Sequence, residues 1–258
     1  MIRVMIQARM GASRLPGKVL LPLMGEKKAL EVLLERLNLL NNVGPDNIYI
    51  CTTTNPKDNV LVDQIAEFGD YNVYRGDEDD VINRVYECCK EYKFAKNDTI
   101  IEITGDCPII CPYLIQNLLD RYDEGDFDYL SNVITRSFPD GMDIQIYSFN
   151  IFEKAVFSTT EMKFREHVGW NILNFSSFYQ DKCTFKIGNV PAMFRYFHPE
   201  YRLTLDTPED YKVLKAICEY FNKINFTLGD VLSYIERKPE LLSNSNIATK
   251  LAGVSYEA

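Results

Sequence analysis

At 258 residues, 46% of them hydrophobic and 25% charged, the chain is long enough to bury a full core and has the balance of a water-soluble globular protein. Its formal net charge of −9, from 28 Lys and Arg against 37 Asp and Glu, argues against a nucleic-acid partner, which needs a clustered basic surface. No apolar run approaches the roughly 20 residues of a membrane span. The start "MIRVMIQ" is charged too early for a secretory signal, and the seven cysteines, none spaced C-x-x-C, suit buried thiols in a reducing cytosol.

In chain order, "IRVMIQ" alternates apolar positions and predicts a first strand. Ala29, Leu30, Leu33, Leu34, Leu37 and Leu40 recur at helical spacing and predict an amphipathic helix over Ala29–Asn41. "NIYICTT" reads as a second strand, ended by the loop "TNPKDN"; "LVDQIAEFG" as a helix and "YNVYRG" as a third strand. "DDVINRVYECCKEYKF" is a helix with an acidic first turn, and "DTIIEITGD" a fourth strand, apolar enough to be buried on both faces. This alternation predicts an α/β fold with a doubly wound, mostly parallel sheet.

From about Phe127 to Pro199 the rhythm breaks into short β-like pieces ("DYLSN", "MDIQIYS", "CTFKIGN") around a helical stretch near Met162–Asn174. This segment, about 127–199, reads as a small β-rich insertion or second layer inside one domain spanning 1–242. "YRLTLDTPEDYKVLKAICEYF" restores a strand and then a helix, with Thr207 as cap and Pro208 at the first helical position. Residues 243–258 read as a weakly held tail.

The loop after the first strand, "ARMGASRLPGK", gathers Arg9, Arg14 and Lys18 around glycines. A Walker A loop is excluded: Gly11 to Gly17 is one residue too long, and Val19 follows Lys18 where a metal-binding hydroxyl belongs. The dinucleotide fingerprint G-x-G-x-x-G is absent as well. Ala8 and Gly11 allow close backbone approach to phosphate oxygens, and Pro16 stiffens the loop. Asp106 and Asp206 each follow an expected strand, so the topology brings both to the carboxyl edge of the sheet beside this loop. Two carboxylates with phosphate oxygens and water are the ordinary coordination of magnesium.

"QARMGASRLPGKVL" resembles the signature of the cytidylyltransferase family that includes CMP-KDO and CMP-acylneuraminate synthetases, nearest the branch named for spore-coat polysaccharide synthesis. "TTTNPKDN", "RGDEDDVINRVYE", "ITGDCPII", "FPDGMDIQIYS", "REHV" and "YRLTLDTPEDY" follow in the family's order, from about Arg3 to Phe221. The resemblance implies a Rossmann-like nucleotidyltransferase. It would be a cytoplasmic, magnesium-dependent homodimer moving CMP from CTP to a sugar acid or a sugar or polyol phosphate, with release of pyrophosphate. It further implies Asp106 and Asp206 as the metal's carboxylates.

Arg14 and Lys18 then serve the triphosphate, and with Asp106 the chemistry; the amides of Gly11, Ala12 and Ser13 lie beside them, and Arg9 nearer the base or α-phosphate. "RGDEDDVINRVYE" matches the segment that holds base and ribose, with Arg75, Gly76 and Arg84 as candidates. Asp80 either orients Arg84 from one turn away or makes an ordinary helix salt bridge. In "FPDGMDIQIYS", Asp140 lies in a turn, and period two sets Asp143, Gln145 and Tyr147 on one face with Met142, Ile144 and Ile146 on the other. That polar face suits acceptor hydroxyls, although an exposed antiparallel strand has the same pattern. Arg165, Glu166 and His167 are further acceptor-side candidates, His167 as a base or as a structural residue.

Three rivals follow from the same residues: a GT-A-like glycosyltransferase using "DFD" at Asp126–Asp128, a nucleotide-binding module without turnover, and a nucleotidyltransferase using another NTP.

Overall fold

Period-two alternation divides the first strand, β1 (Ile2–Gln7), between two cores: Val4 and Ile6 face one side of the sheet, Met5 and Gln7 the other. The computed structural model describes residues 1–158, 165–169, 171–173 and 185–242. After β1 and a 3₁₀ turn at Lys18–Leu20 come a hairpin of β2 (Pro22–Met24) and β3 (Lys27–Lys28), then α1 (Ala29–Leu37), β4 (Ile48–Thr53) and α2 (Asn59–Phe68). Next are β5 (Asn72–Gly76), α3 (Val81–Glu91), β6 (Thr99–Thr104) and α4 (Pro112–Glu124). The chain continues through β7 (Tyr129–Ser131), β8 (Gln145–Ser148), α5 (Phe149–Ser158), β9 (Ile187–Asn189), α6 (Pro208–Phe221) and α7 (Leu228–Arg237).

Seven strands form one sheet in the order β5-β4-β1-β6-β8-β7-β9. β5, β4, β1 and β6 run parallel, and β8 lies antiparallel between β6 and β7. The short strands of the middle segment therefore extend the main sheet instead of laying a second layer on it. Helices α1, α2, α4, α6 and α7 bury their apolar stripes against one face, and α3 and α5 against the other. Among the described residues, no helix is long and apolar enough to cross a membrane.

Some boundaries differ from expectation. Helix α1 ends at Leu37, and the backbone turns left-handed at Asn42 (φ 59°). Helices α4, α5 and α7 lie outside the elements that the sequence predicts. The late strand before Asp206 is reduced to one bridge between Arg202 and Asp140. Of the helix expected at Met162–Asn174, only 165–169 and 171–173 fall within the described residues; the tail at 243–258 falls outside them.

Inside the larger core sits a charge that hydrophobic patterning does not announce. Arg36 is fully buried and donates to the carbonyls of Ile110 (2.9 Å), Phe226 (3.1 Å) and Ile224, with its guanidinium 4.1 Å from the Phe226 ring centroid. Burial pulls its pKa down to about 10. Arg36→Met orphans those carbonyls and should cost about 2 kcal/mol, a fall in Tm of roughly 4–8 °C by calorimetry.

Candidate active site

From β1 the chain crosses to β4 and β5 on one side, then returns to place β6 on the other side of β1. Strand order therefore reverses between β1 and β6, where open α/β sheets bind ligands beyond the carboxyl ends of the strands. A cavity of about 420 Å³ opens there, walled by Gln7, Ala8, Arg9, Gly11 to Arg14, Lys18, Val81, Arg84, Thr104, Asp106, Glu166, His167 and Asp206 among others.

Two clamps shape the loop. Asp58, from the turn after β4, accepts from Met10 N (2.7 Å) and Thr53 N (3.2 Å). At the far end Gly17 N donates to Met10 O (3.0 Å), with Gly17 in the left-handed region (φ 71°) that favours glycine. Between the clamps, the amides of Gly11, Ala12, Ser13 and Arg14 have no acceptor among the described residues. Consecutive free amides make a ready anion cradle. Ala8 stands apart from it, since its amide donates to Cys51 O (3.2 Å) in the sheet.

Lys18 reaches back across the loop and joins the two expected aspartates. Its Nζ lies 2.8 Å from Asp106 Oδ2 and 2.7 Å from Asp206 Oδ1, with 12% of the side chain exposed. Burial alone would lower the ammonium's pKa, but the charges of Asp106 and Asp206 outweigh it and hold it above the ordinary value. Burial likewise opposes ionisation of Asp106, yet Lys18 keeps that carboxyl below its usual range. Arg14 lies 3.2 Å from Asp206 Oδ2. Backbone bonds set the spacing: Leu205 N donates to Asp106 O (2.8 Å), and Asp210 Oδ2 accepts from Asp206 N (3.1 Å) and Thr207 N (3.0 Å).

The shared ammonium is direct evidence that the two carboxylates can hold one cation between them. Among the described residues no three His, Cys, Asp or Glu side chains are placed to hold a metal ion, so a metal would complete its shell with ligand oxygens and water. That hard-oxygen donor set fits magnesium and not zinc.

The opposite wall belongs to α3. Arg84 is 3% exposed; its Nη1 donates to the carbonyls of Asp77 and Glu78 (3.3 Å to Glu78), and its Nε has no partner among the described residues. Desolvation lowers its pKa. Arg9 Nη1 donates to the same Glu78 carbonyl at 3.2 Å. Gly76 permits this packing, since a Cβ there would stand 2.9 Å from Arg84 Cγ.

Two expected base-side residues work elsewhere. Arg75 turns out of the cavity and donates to Thr53 O (2.8 Å), Asn55 O (3.0 Å) and Asn59 Oδ1 (2.8 Å), tying β5 to the exit of β4. Asp80 caps α3 through Asn83 N (2.9 Å) and pairs with Arg165 (2.9 Å), not with Arg84, because an N-cap side chain folds onto its own first turn.

The acceptor-side candidates separate. Glu166 and His167 are exposed on the cavity wall, held there by Arg165. Asp140 and Asp143 do not line the cavity: Arg136 pairs with both (3.3 and 3.0 Å), and Arg202 pairs with Asp140 (3.0 Å). Burial and then the charge of Asp143 push Asp140 up to about 6 against Arg136 and Arg202, and burial also raises Asp143 against the pull of Arg136. Gln145 Oε1 accepts from Tyr129 (2.7 Å), and Tyr147 is fully buried, because β8 is an interior strand and its second face meets a core. Met142, Ile144 and Ile146 are buried as expected. Asp126 and Asp128, the alternative metal pair, sit before β7, bonded to Lys186 and outside the cavity.

Asp58, Glu78, Glu102, Arg202 and Asp210 are structural parts of this region that lie outside the candidate residues of the sequence. Only Asp210, as an acid in the first turn of α6, carried a local signal.

A family model described as Cytidylyltransferase matches residues 3–236. The spore coat polysaccharide biosynthesis protein SpsF of Bacillus subtilis is 30% identical over 245 residues, spanning 93% of this chain and 95% of SpsF. The structure of a cytidylyltransferase from Leptospira borgpetersenii superposes with a TM-score of 0.82 at 33% identity, over 94% of this chain and 97% of that one. A CMP:2-keto-3-deoxy-manno-octonic acid synthetase solved with CTP shares the fold, with a TM-score of 0.56 and 20% identity over 83% of this chain and 97% of that one. The match runs through the cationic loop and both aspartate motifs, and it displaces the glycosyltransferase reading: the chain belongs to the cytidylyltransferase family of enzymes.

Proposed function

We propose that the protein transfers CMP from CTP to a sugar acid or a sugar or polyol phosphate, releasing pyrophosphate, in the synthesis of a surface polysaccharide or glycoconjugate. The observation that carries this reading is Lys18 drawn between Asp106 and Asp206 beneath the free amides of Gly11–Arg14. The CTP bound to the structural neighbour and the polysaccharide role in the name SpsF support the choice of nucleotide and pathway class. Family likeness also favours a cytoplasmic homodimer.

Attack at the α-phosphorus builds negative charge on the phosphate oxygens and on the leaving pyrophosphate. Arg14, Lys18 and the loop amides are fixed donors for that charge, and fixed donors need little reorganisation as the reaction proceeds. Asp106 and Asp206 would hold magnesium, which when bound supplies further positive charge to the same oxygens. A phosphate acceptor brings its own anionic oxygen. A sugar-acid hydroxyl must lose a proton, and Glu166 and His167 are the titratable groups of the remaining wall.

Thermal unfolding with each of the four NTPs, with and without magnesium, tests the reading. CTP at a hundred times its Kd should stabilise by about 2.7 kcal/mol, a rise of roughly 5–10 °C, and only with magnesium. A rise with no NTP overturns it.

A further inference from the structure

The cavity floor holds a polar pair that phosphate binding does not use. The register of β1 and β6 sets Gln7 beside Thr104 and Met5 beside Glu102, so Gln7 and Glu102 are diagonal neighbours on the α3 side of the sheet. Gln7 Nε2 donates to Glu102 Oε1, and Tyr147 of β8 donates to Glu102 Oε2 at 3.2 Å. Glu102 is 2% exposed. The titratable groups around it are Arg84 and Cys89 of α3, Cys51 of β4 and Tyr147. Burial pushes its carboxyl up to about 8, against the pull of Gln7, Tyr147 and Arg84. A carboxyl in the middle of a sheet is unfavourable, and the apolar residues around it offer no packing reason for it. Gln7, by contrast, lines the cavity, and among the described residues nothing donates to its Oε1.

The two ends of the cavity differ in charge. Arg14, Lys18, Asp106 and Asp206 stand at the loop. Near α3 the wall offers the neutral Gln7 amide beside Val81, while Arg84 is drawn to the Asp77 and Glu78 carbonyls. A nucleoside triphosphate with its phosphates at the loop brings its uncharged ring towards Gln7.

We propose that Gln7 reads the hydrogen-bonding edge of the nucleobase, with Glu102 as the buried positioning residue that sets which end of the amide faces it. This rests on the cavity being the nucleotide site. While ionised Glu102 holds Nε2, the amide presents its oxygen, an acceptor that matches the exocyclic amine of cytosine and opposes the carbonyl of uracil. Once protonated, Glu102 is itself a donor; Gln7 accepts from it by turning its amide, and an N–H then faces the cavity.

Calorimetric titration of CTP and UTP with magnesium and no acceptor tests this in the wild type, Gln7→Leu and Glu102→Gln at pH 7, 8 and 9. At pH 9 wild type should prefer CTP, and the preference should fall several-fold as pH drops through about 8, the value to which burial pushes Glu102. At pH 9, where Glu102 is ionised, Gln7→Leu should weaken CTP about tenfold, or about 1.4 kcal/mol, and UTP less than about twofold. In Glu102→Gln, a near-isosteric change, the preference should be smaller and flat with pH. Equal weakening of both nucleotides by Gln7→Leu, or an unchanged ratio, overturns the proposal. So does a pH profile common to wild type and Glu102→Gln, or an effect of Gln7→Leu confined to acceptor KM. If wild type binds no NTP, the nucleotide-site reading falls as well.

Discussion

Lys18→Met should slow nucleotidyl transfer by about 10²–10³-fold at saturating CTP and magnesium, the usual loss when one fixed donor to a developing charge is removed. The ammonium is held by Asp106 at 2.8 Å and Asp206 at 2.7 Å, and their charges keep it above its ordinary pKa despite burial. It therefore stays protonated throughout the working range, and no change of pH should restore the variant. Lys18→Arg should recover little, because a planar fork on a longer stem does not replace a compact ammonium between two single carboxylate oxygens. A second readout separates this role from general damage. Without Lys18, Asp106 and Asp206 face each other with Arg14 and Arg202 as the remaining cations nearby. The variant should then melt below wild type in EDTA, and added magnesium should narrow the gap. Pyrophosphate release near the wild-type rate, or a Tm gap that magnesium leaves unchanged, sinks the assignment.

The parallel half of the sheet was legible because its signals are local. "IRVMIQ", "NIYICTT" and "DTIIEITGD" are short apolar runs between helical patterns, and each becomes a strand of the switch-point group. The cationic loop and Asp106 were legible for the same reason, since each follows closely on a strand end, and Asp206 because it stands just ahead of the Thr207 cap of α6. What escaped was set by tertiary pairing. Alternation in "MDIQIYS" gives the two faces of β8 correctly but not that both are buried, because that depends on β6 and β7 flanking it. Arg75 and Arg84 lie nine positions apart in one motif, yet one faces the exit of β4 and the other the cavity. Asp58 and Arg202 matter through partners 48 and 62 residues away, distances at which composition and spacing carry no information.

Arg202 is where that long-range pairing carries the most energy. It is 3% exposed and meets Asp140 (3.0 Å), Asp210 (3.2 Å) and Asp206 (3.6 Å), of which Asp210 is fully buried. Arg202→Met takes the shared cation from these acids, and breaking a buried pair from one side costs about 3–5 kcal/mol. The expected fall in Tm is roughly 6–20 °C. Arg202→Lys should recover only part of it, since one ammonium does not span the three carboxylates that the guanidinium fork reaches. The deficit should also depend on pH in a definite direction. Burial and then Asp143 raise folded Asp140 from 3.8 to about 6, so the folded state binds more protons, and Asp140's contribution to stability falls as pH climbs through that window. Loss of Arg202 removes a charge that lowers this pKa and moves the window upward. The variant should therefore lie closer to wild type at pH 5 than at pH 8, where Asp140 is ionised and keeps only Arg136 of its two cations. Magnesium-dependent nucleotide binding should weaken in parallel, because Arg202 and Asp210 together fix Asp206 beside Lys18. An unchanged Tm, or a deficit that grows as pH is lowered, would show that the acids are held by their backbone bonds alone.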